Sequence, residues 1–129
     1  MLDTKVISEL IRDPQGKAAK RIERVGETNI CTSIIVAAEL RYGCAKKGSK
    51  RLLKAVEDLF SEIEVLPFEV PADAEYGAIR SQLENAGRLI GGNDLLIAAH
   101  ASAVGATILT ANSDVFRRVR GLKVENWLS

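Results

Sequence analysis

Three acidic residues stand where a charge is costly. Asp3 follows the apolar pair Met1 and Leu2, Glu39 lies in "SIIVAAELRYG", and Asp94 heads the apolar run "DLLIAAHASAVG" behind "GGN". A lone carboxylate in apolar surroundings is expensive, so each should cap a helix, pair with a cation or bind a ligand. Bland roles exist for all of them. Asp3 and Asp94 suit helix N-caps, since a carboxylate accepts the free N–H groups of a first turn and complements the helix dipole. Glu39 has Arg41 or a nearby lysine as an ion-pair partner. Taken together, acids expected at one edge of a sheet repel each other, and a hard divalent cation removes that repulsion. Mg2+ prefers oxygen ligands and keeps several waters, so a small carboxylate set suits it.

Other hydrolytic chemistries find little support. The only histidine, His100, lies six residues after Asp94 behind two alanines, and is expected to be a packing or surface residue. No Ser–His or Cys–His pair stands out, and "GGND" lacks the lysine and spacing of a phosphate loop. Cys31 and Cys44 have no metal-ligand spacing and read as packing residues with reduced thiols. Hydrolysis here would rest on metal-activated water.

Short apolar strands alternating with amphipathic helices must position these groups. Strands are expected at Met1–Asp3, "NICTS", "EVLPF", "ATILT" and "KVENW". Helices are expected around Val6–Ile11, where Pro14 stops the pattern, and over 16–25, 33–45, 49–63, 72–87, 94–105 and 112–119. Ser33 and Ser49 read as N-caps, Gly87 as the glycine after a helix end, and Asp94 as the residue that opens its helix. Strands separated by helices imply a parallel sheet covered on both faces, with the site beyond the carboxyl ends of the strands. Asp3, Ser33 and the segment Thr110–Asp114 all follow strands, and Glu39 lies further along the helix that Ser33 starts.

The 129 residues suffice for one domain spanning 1–129 with a single core. Hydrophobic residues at 47% and charged residues at 27% exclude a disordered chain. No apolar run approaches the roughly 20 residues of a membrane helix. An acid at position 3 and no basic leader speak against a secretory signal, so a cytoplasmic protein is expected. A net charge of +1 gives no global nucleic-acid signature. Basic runs at Lys46, Lys47, Lys50, Arg51, Lys54 and at Arg117, Arg118, Arg120, Lys123 are by default solvated faces, and would also serve as a phosphate-facing rim.

The blocks "LDTKVISEL", "SIIVAAELRYG", "IGGNDLLIAAHA" and "ATILTANSDVFRRVRGLKVENW" resemble, in order and spacing, those of the PIN-domain ribonucleases. More closely, they resemble the VapC toxins of VapBC toxin–antitoxin systems. The resemblance covers essentially the whole chain; the Asp94 block and the closing Val-Glu-Asn-Trp are its specific parts. It implies a PIN-like three-layer α/β/α sandwich with a central, mostly parallel sheet. The implied activity is a Mg2+-dependent endoribonuclease, with Mn2+ as a possible substitute. It would cleave structured RNA, a transfer RNA or ribosomal RNA loop, and leave a 5′-phosphate and a 3′-hydroxyl. Asp3, Glu39 and Asp94 match the first three family acids and are implied metal ligands. In the fourth block Asn112 places a neutral amide at the family's acidic position, and Asp114 is expected to supply the nearby charge. Thr4, Ser33, Thr110 and Asn112 match positions that hold substrate, waters or acids in place. Lys5 stands where the family has Asn, and Val36 where Thr is common.

The resemblance also implies partners. A VapB-like antitoxin would lay a C-terminal segment across the site, and operator DNA would be bound only through that antitoxin. A homodimer would form through the apolar faces of the helices at 33–44 and 50–62. Two competing readings remain. One is a catalytically weak PIN-fold binding module acting through its antitoxin, for which Lys5 and Asn112 speak. The other is a phosphoryl-transfer domain with Asp3 as nucleophile, ranked lowest because haloacid-dehalogenase-type enzymes want a second Asp where Lys5 stands.

Overall fold

Leu2 is the seam of the sheet. In the computed structural model, which describes residues 1–128, Leu2 pairs in parallel with Thr32 on one side and with Leu109 on the other. Leu2 N–H donates to the Cys31 carbonyl (2.8 Å), Leu109 N–H to Met1 (2.9 Å) and Asp3 N–H to Leu109 (3.1 Å). The Thr32 hydroxyl adds a bond to the Leu2 carbonyl (2.7 Å). On the first flank lie β1 (Cys31–Ser33) and its parallel neighbour β2 (Glu64–Leu66); on the second lie β3 (Ile108–Thr110) and its parallel neighbour β4 (Val124–Asn126). The order is therefore β2-β1-Leu2-β3-β4, all parallel, inside an α/β/α sandwich.

The strands are shorter than the sequence pattern suggests. At the start of the chain the expected strand Met1–Asp3 narrows to the single bridging residue Leu2, because Asp3 already caps a helix. Asn29 is drawn from β1 into a 3-10 turn, Glu27–Asn29, with its amide donating to the Val25 carbonyl (2.8 Å). Pro67 has no N–H to extend β2.

Seven helices pack around the sheet among the described residues: α1 (Thr4–Arg12), α2 (Lys17–Val25), α3 (Ile34–Lys47), α4 (Lys50–Phe60), α5 (Ala72–Asn85), α6 (Gly92–Val104) and α7 (Ser113–Phe116). Their ends follow local chemistry. Ser33 Oγ accepts from Ile35 N–H (3.0 Å) and Ser49 Oγ from Leu52 N–H (3.1 Å), as expected of caps. At the end of α5, Gly87 takes φ +66°, while Gly87 N–H returns to Glu84 and Arg88 N–H to Leu83. That is the glycine-dependent Schellman closure. Several helix boundaries differ from expectation: α3 runs on to Lys47 and α4 stops at Phe60. The segment 112–119 forms only the short α7, and α6 begins at Gly92, so Asp94 lies within its first turn and does not cap it. Gly91 is the cap residue, and Leu95 N–H bonds to its carbonyl (2.9 Å).

One continuous core joins these pieces. Leu2, Val6, Ile7, Val36, Leu83, Ile97, Ile108 and Phe116 are all under 2% exposed. Trp127 is also buried, and its N–H donates to the Thr110 carbonyl (2.9 Å), tying the closing block to β3. Among the described residues no helix is long and apolar enough to cross a membrane.

Because Leu2 bridges the two halves of the sheet and its side chain is fully buried, Leu2→Ala is expected to lower unfolding stability by about 2–5 kcal/mol in urea titrations. An unchanged midpoint would mean that the halves hold together without this side chain.

Candidate active site

Asp3 leaves the central strand position and enters α1 as its cap. Its Oδ1 accepts from Val6 N–H (3.0 Å) and its Oδ2 from the Thr110 hydroxyl. Thr110 in turn accepts from Asn112 N–H (2.8 Å). The first turn of α1 and the end of β3 are thereby locked together by one carboxylate that is 4% exposed. Thr4, the next residue, donates through its hydroxyl to Glu39 Oε1 (2.8 Å), which orients the α3 acid toward the same point. Arg41 instead pairs with Glu57 (3.4 Å), so the ion pair considered for Glu39 goes to another acid. Asp94, half-buried in the first turn of α6, approaches from the third side.

Asp3, Thr4, Glu39, Asp94, Lys5 and Asn112 line one cavity of about 240 Å3. Its electrostatics are strained. Burial pushes the Asp3 carboxyl above its ordinary value, with Glu39 adding to the rise, while the bonds from Thr110 and Val6 and the charge of Lys5 act against it. Asp94 is pushed up by burial first, then by Glu39 and Asp3, with Lys5 opposing. Glu39 makes both Asp3 and Asp94 harder to ionise, Asp3 does the same to Asp94, and a cation would relieve this repulsion. The donors are hard oxygens, which suits Mg2+ or Mn2+. Among the described residues, no three Asp, Glu, His or Cys side chains converge closely enough to enclose an ion as they stand. Binding by all three acids therefore needs their side chains to turn inward.

The other residues singled out in the sequence separate into two groups. Thr110 lies fully buried behind the cavity and acts through Asp3. Asn112 lines the cavity, while Asp114, expected to replace the fourth acid, is exposed on α7 and is not part of the lining. α7 is a single turn, and it carries Asp114 away from the cavity that Asn112 reaches. Ser33 does not line the cavity either. It caps α3 and shares a hydrogen bond with His100 Nδ1 (2.7 Å). His100 is buried against the edge of Phe68, and burial pushes its imidazole down toward the neutral form. No local pattern pairs Ser33 with His100, because they are 67 positions apart.

A second, apolar cleft of about 500 Å3 opens beside the acids, between α1, α3 and α4. Ile11, Leu40, Leu52 and Val56 form its walls and Arg12 and Lys47 flank it; Thr4 and Glu39 belong to both spaces.

Comparison with known proteins identifies the family and the fold. The family description "PIN domain" matches residues 1–122. A protein named Ribonuclease VapC2 from Rickettsia felis is 39% identical, covering 98% of this chain and 96% of its own. A tRNA(fMet)-specific endonuclease VapC from Shigella flexneri is 34% identical, with the same coverage of both chains. The crystal structure of DNA-bound VapBC from Salmonella typhimurium superposes with a TM-score of 0.91 at 33% identity, covering 98% of this chain and 96% of that one.

The raised carboxyls have a measurable consequence. An acid whose folded pKa lies above its ordinary value weakens the fold as pH rises from that value through the raised one. Asp94→Asn should therefore raise the melting temperature in EDTA at neutral pH. The gain should vanish below the ordinary value of 3.8, where the parent carboxyl is protonated in both states. Thermal unfolding across pH checks this; a gain that persists undiminished in acid would contradict it.

Proposed function

The chain belongs to the PIN-domain family and, within it, to the VapC ribonucleases of toxin–antitoxin systems, and from that premise we propose a Mg2+- or Mn2+-dependent endoribonuclease acting on structured RNA. The convergence of Asp3, Glu39 and Asp94 on one cavity carries this reading. An ion held by these three acids would supply Lewis acidity, lowering the pKa of water and offsetting charge that builds on the phosphate. The residues of the chain do the rest. Thr110 and the Val6 amide fix Asp3, and Thr4 fixes Glu39. Asp94 lies in the first turn of α6, where the helix dipole favours a carboxylate. Asn112 and Lys5 stand on the same lining as the acids and meet the incoming RNA backbone. Water attacks phosphorus in line, leaving a 5′-phosphate and a 3′-hydroxyl. The name of the Shigella flexneri relative supports transfer RNA as the substrate class.

The solved DNA-bound VapBC complex supports a VapB-like antitoxin as partner, with operator DNA bound through that antitoxin. The apolar cleft beside Glu39 has the size and walls to take an antitoxin segment. Ile34, Ala38 and Tyr42, exposed at helical spacing on α3, offer the face through which two copies would pair. The protein would act in the cytoplasm.

The test is cleavage of total bacterial RNA by purified protein and by Asp94→Asn, with Mg2+ or with EDTA, read by 5′-end sequencing. Discrete new 5′-phosphate ends are expected only with parent protein and metal, with a loss on the order of 100-fold in the variant. Folded, antitoxin-free protein that cuts no RNA with Mg2+ or Mn2+ would favour the binding-module reading.

A further inference from the structure

Neither helix preference nor packing explains the position of Lys5. It is the second residue of α1, in the first turn, where the helix presents its positive end and a cation is disfavoured. It is exposed, so its charge is not needed to cover apolar surface. Among the described residues it forms no direct ion pair, whereas Arg12, Arg41, Lys54 and Arg80 all do. Yet its charge acts on both Asp3 and Asp94, and among the described residues it is the only basic side chain lining the acid cavity. A cation that faces two acids without binding either, at a locally unfavourable position, remains available for a third group.

Charge counting says what that group is. Three ionised acids carry −3, and Lys5 brings the cavity to −2, the charge that one divalent ion neutralises. A second divalent ion would leave the cavity at +2. Before RNA binds, one divalent ion leaves the cavity neutral with Lys5 and at −1 without it, and the phosphodiester then adds −1 to either count. Resting on the nuclease reading above, we propose that Lys5 is the second cation of the site: it contacts a non-bridging oxygen of the scissile phosphodiester, and the cavity takes one divalent ion. Lys5 follows Thr4 and Asp3 directly on α1 and lines the same cavity as the acids, within reach of a phosphate that enters it.

The experiment compares parent, Lys5→Asn, Lys5→Arg and, as a control for lost charge, Lys17→Asn, exposed at the start of α2. Mn2+ is titrated into each protein without RNA and free Mn2+ is followed by electron paramagnetic resonance; RNA cleavage is then measured at saturating Mn2+. The parent should take one ion. Lys5→Asn should take a second ion, or bind the first at least about tenfold more tightly, while kcat falls by roughly 100-fold. Lys5→Arg and Lys17→Asn should stay within a few-fold of the parent on both measures. Two ions in the parent, or a Lys5→Asn protein with parental ion binding and parental kcat, would overturn the assignment while leaving the nuclease reading intact. A parent that binds no ion and cuts no RNA would remove both, so the parent arm reports on the nuclease and the difference between arms on Lys5.

Discussion

The carboxylate of Asp3 is held by an amide of its own helix and by a hydroxyl from the far end of the chain, and much else follows from that pair of bonds. A buried charge must be satisfied, so β3 has to end at Thr110 and α1 has to begin at Thr4. Leu2 then has to lie between β1 and β3, because Asp3 N–H is already bonded to Leu109. Once the central position is fixed, Thr32 pairs with it from the other flank, and Ser33 starts α3 at the height that brings Glu39 level with Thr4. Trp127 supports the arrangement from behind by bonding Thr110 through the backbone.

The same pair of bonds sets the site against the fold. Asp3, Glu39 and Asp94 are brought close although burial and mutual repulsion hold the Asp3 and Asp94 carboxyls above their ordinary range. A protein selected only for stability would place amides or apolar groups there. Local rules that fail without structural return mark function, and here two fail together: acids without direct cation partners, and a lysine at a helix start.

Much of this was legible from residue types and spacing. Ser33, Ser49 and Gly87 announced helix ends because capping chemistry is local. The alternation of strands and helices gave a parallel sheet, and the strand-end rule put Asp3 and Thr110 at one edge. What escaped depended on distance in the chain or on one turn of backbone. "GGN" reads as loop because glycine is a poor helix former, yet α6 takes up Gly92 and Asn93 and moves Asp94 from cap to first turn. Asp114 was expected to supply beside Asn112 the charge that the amide lacks; the direction of a single helical turn decided that only Asn112 lines the cavity. The pairing of Ser33 with His100 joins two elements whose register no local pattern encodes.

Thr4 and Glu39 form a wall common to the acid cavity and the apolar cleft. Two ligands that touch one wall are coupled thermodynamically, and the coupling is reciprocal. Whatever settles in the cleft and draws Glu39 toward itself must weaken, by the same free energy, anything that needs Glu39 turned to the acids. An occupant there would regulate without reaching the chemistry, and a substrate held firmly by the acids would loosen that occupant in return.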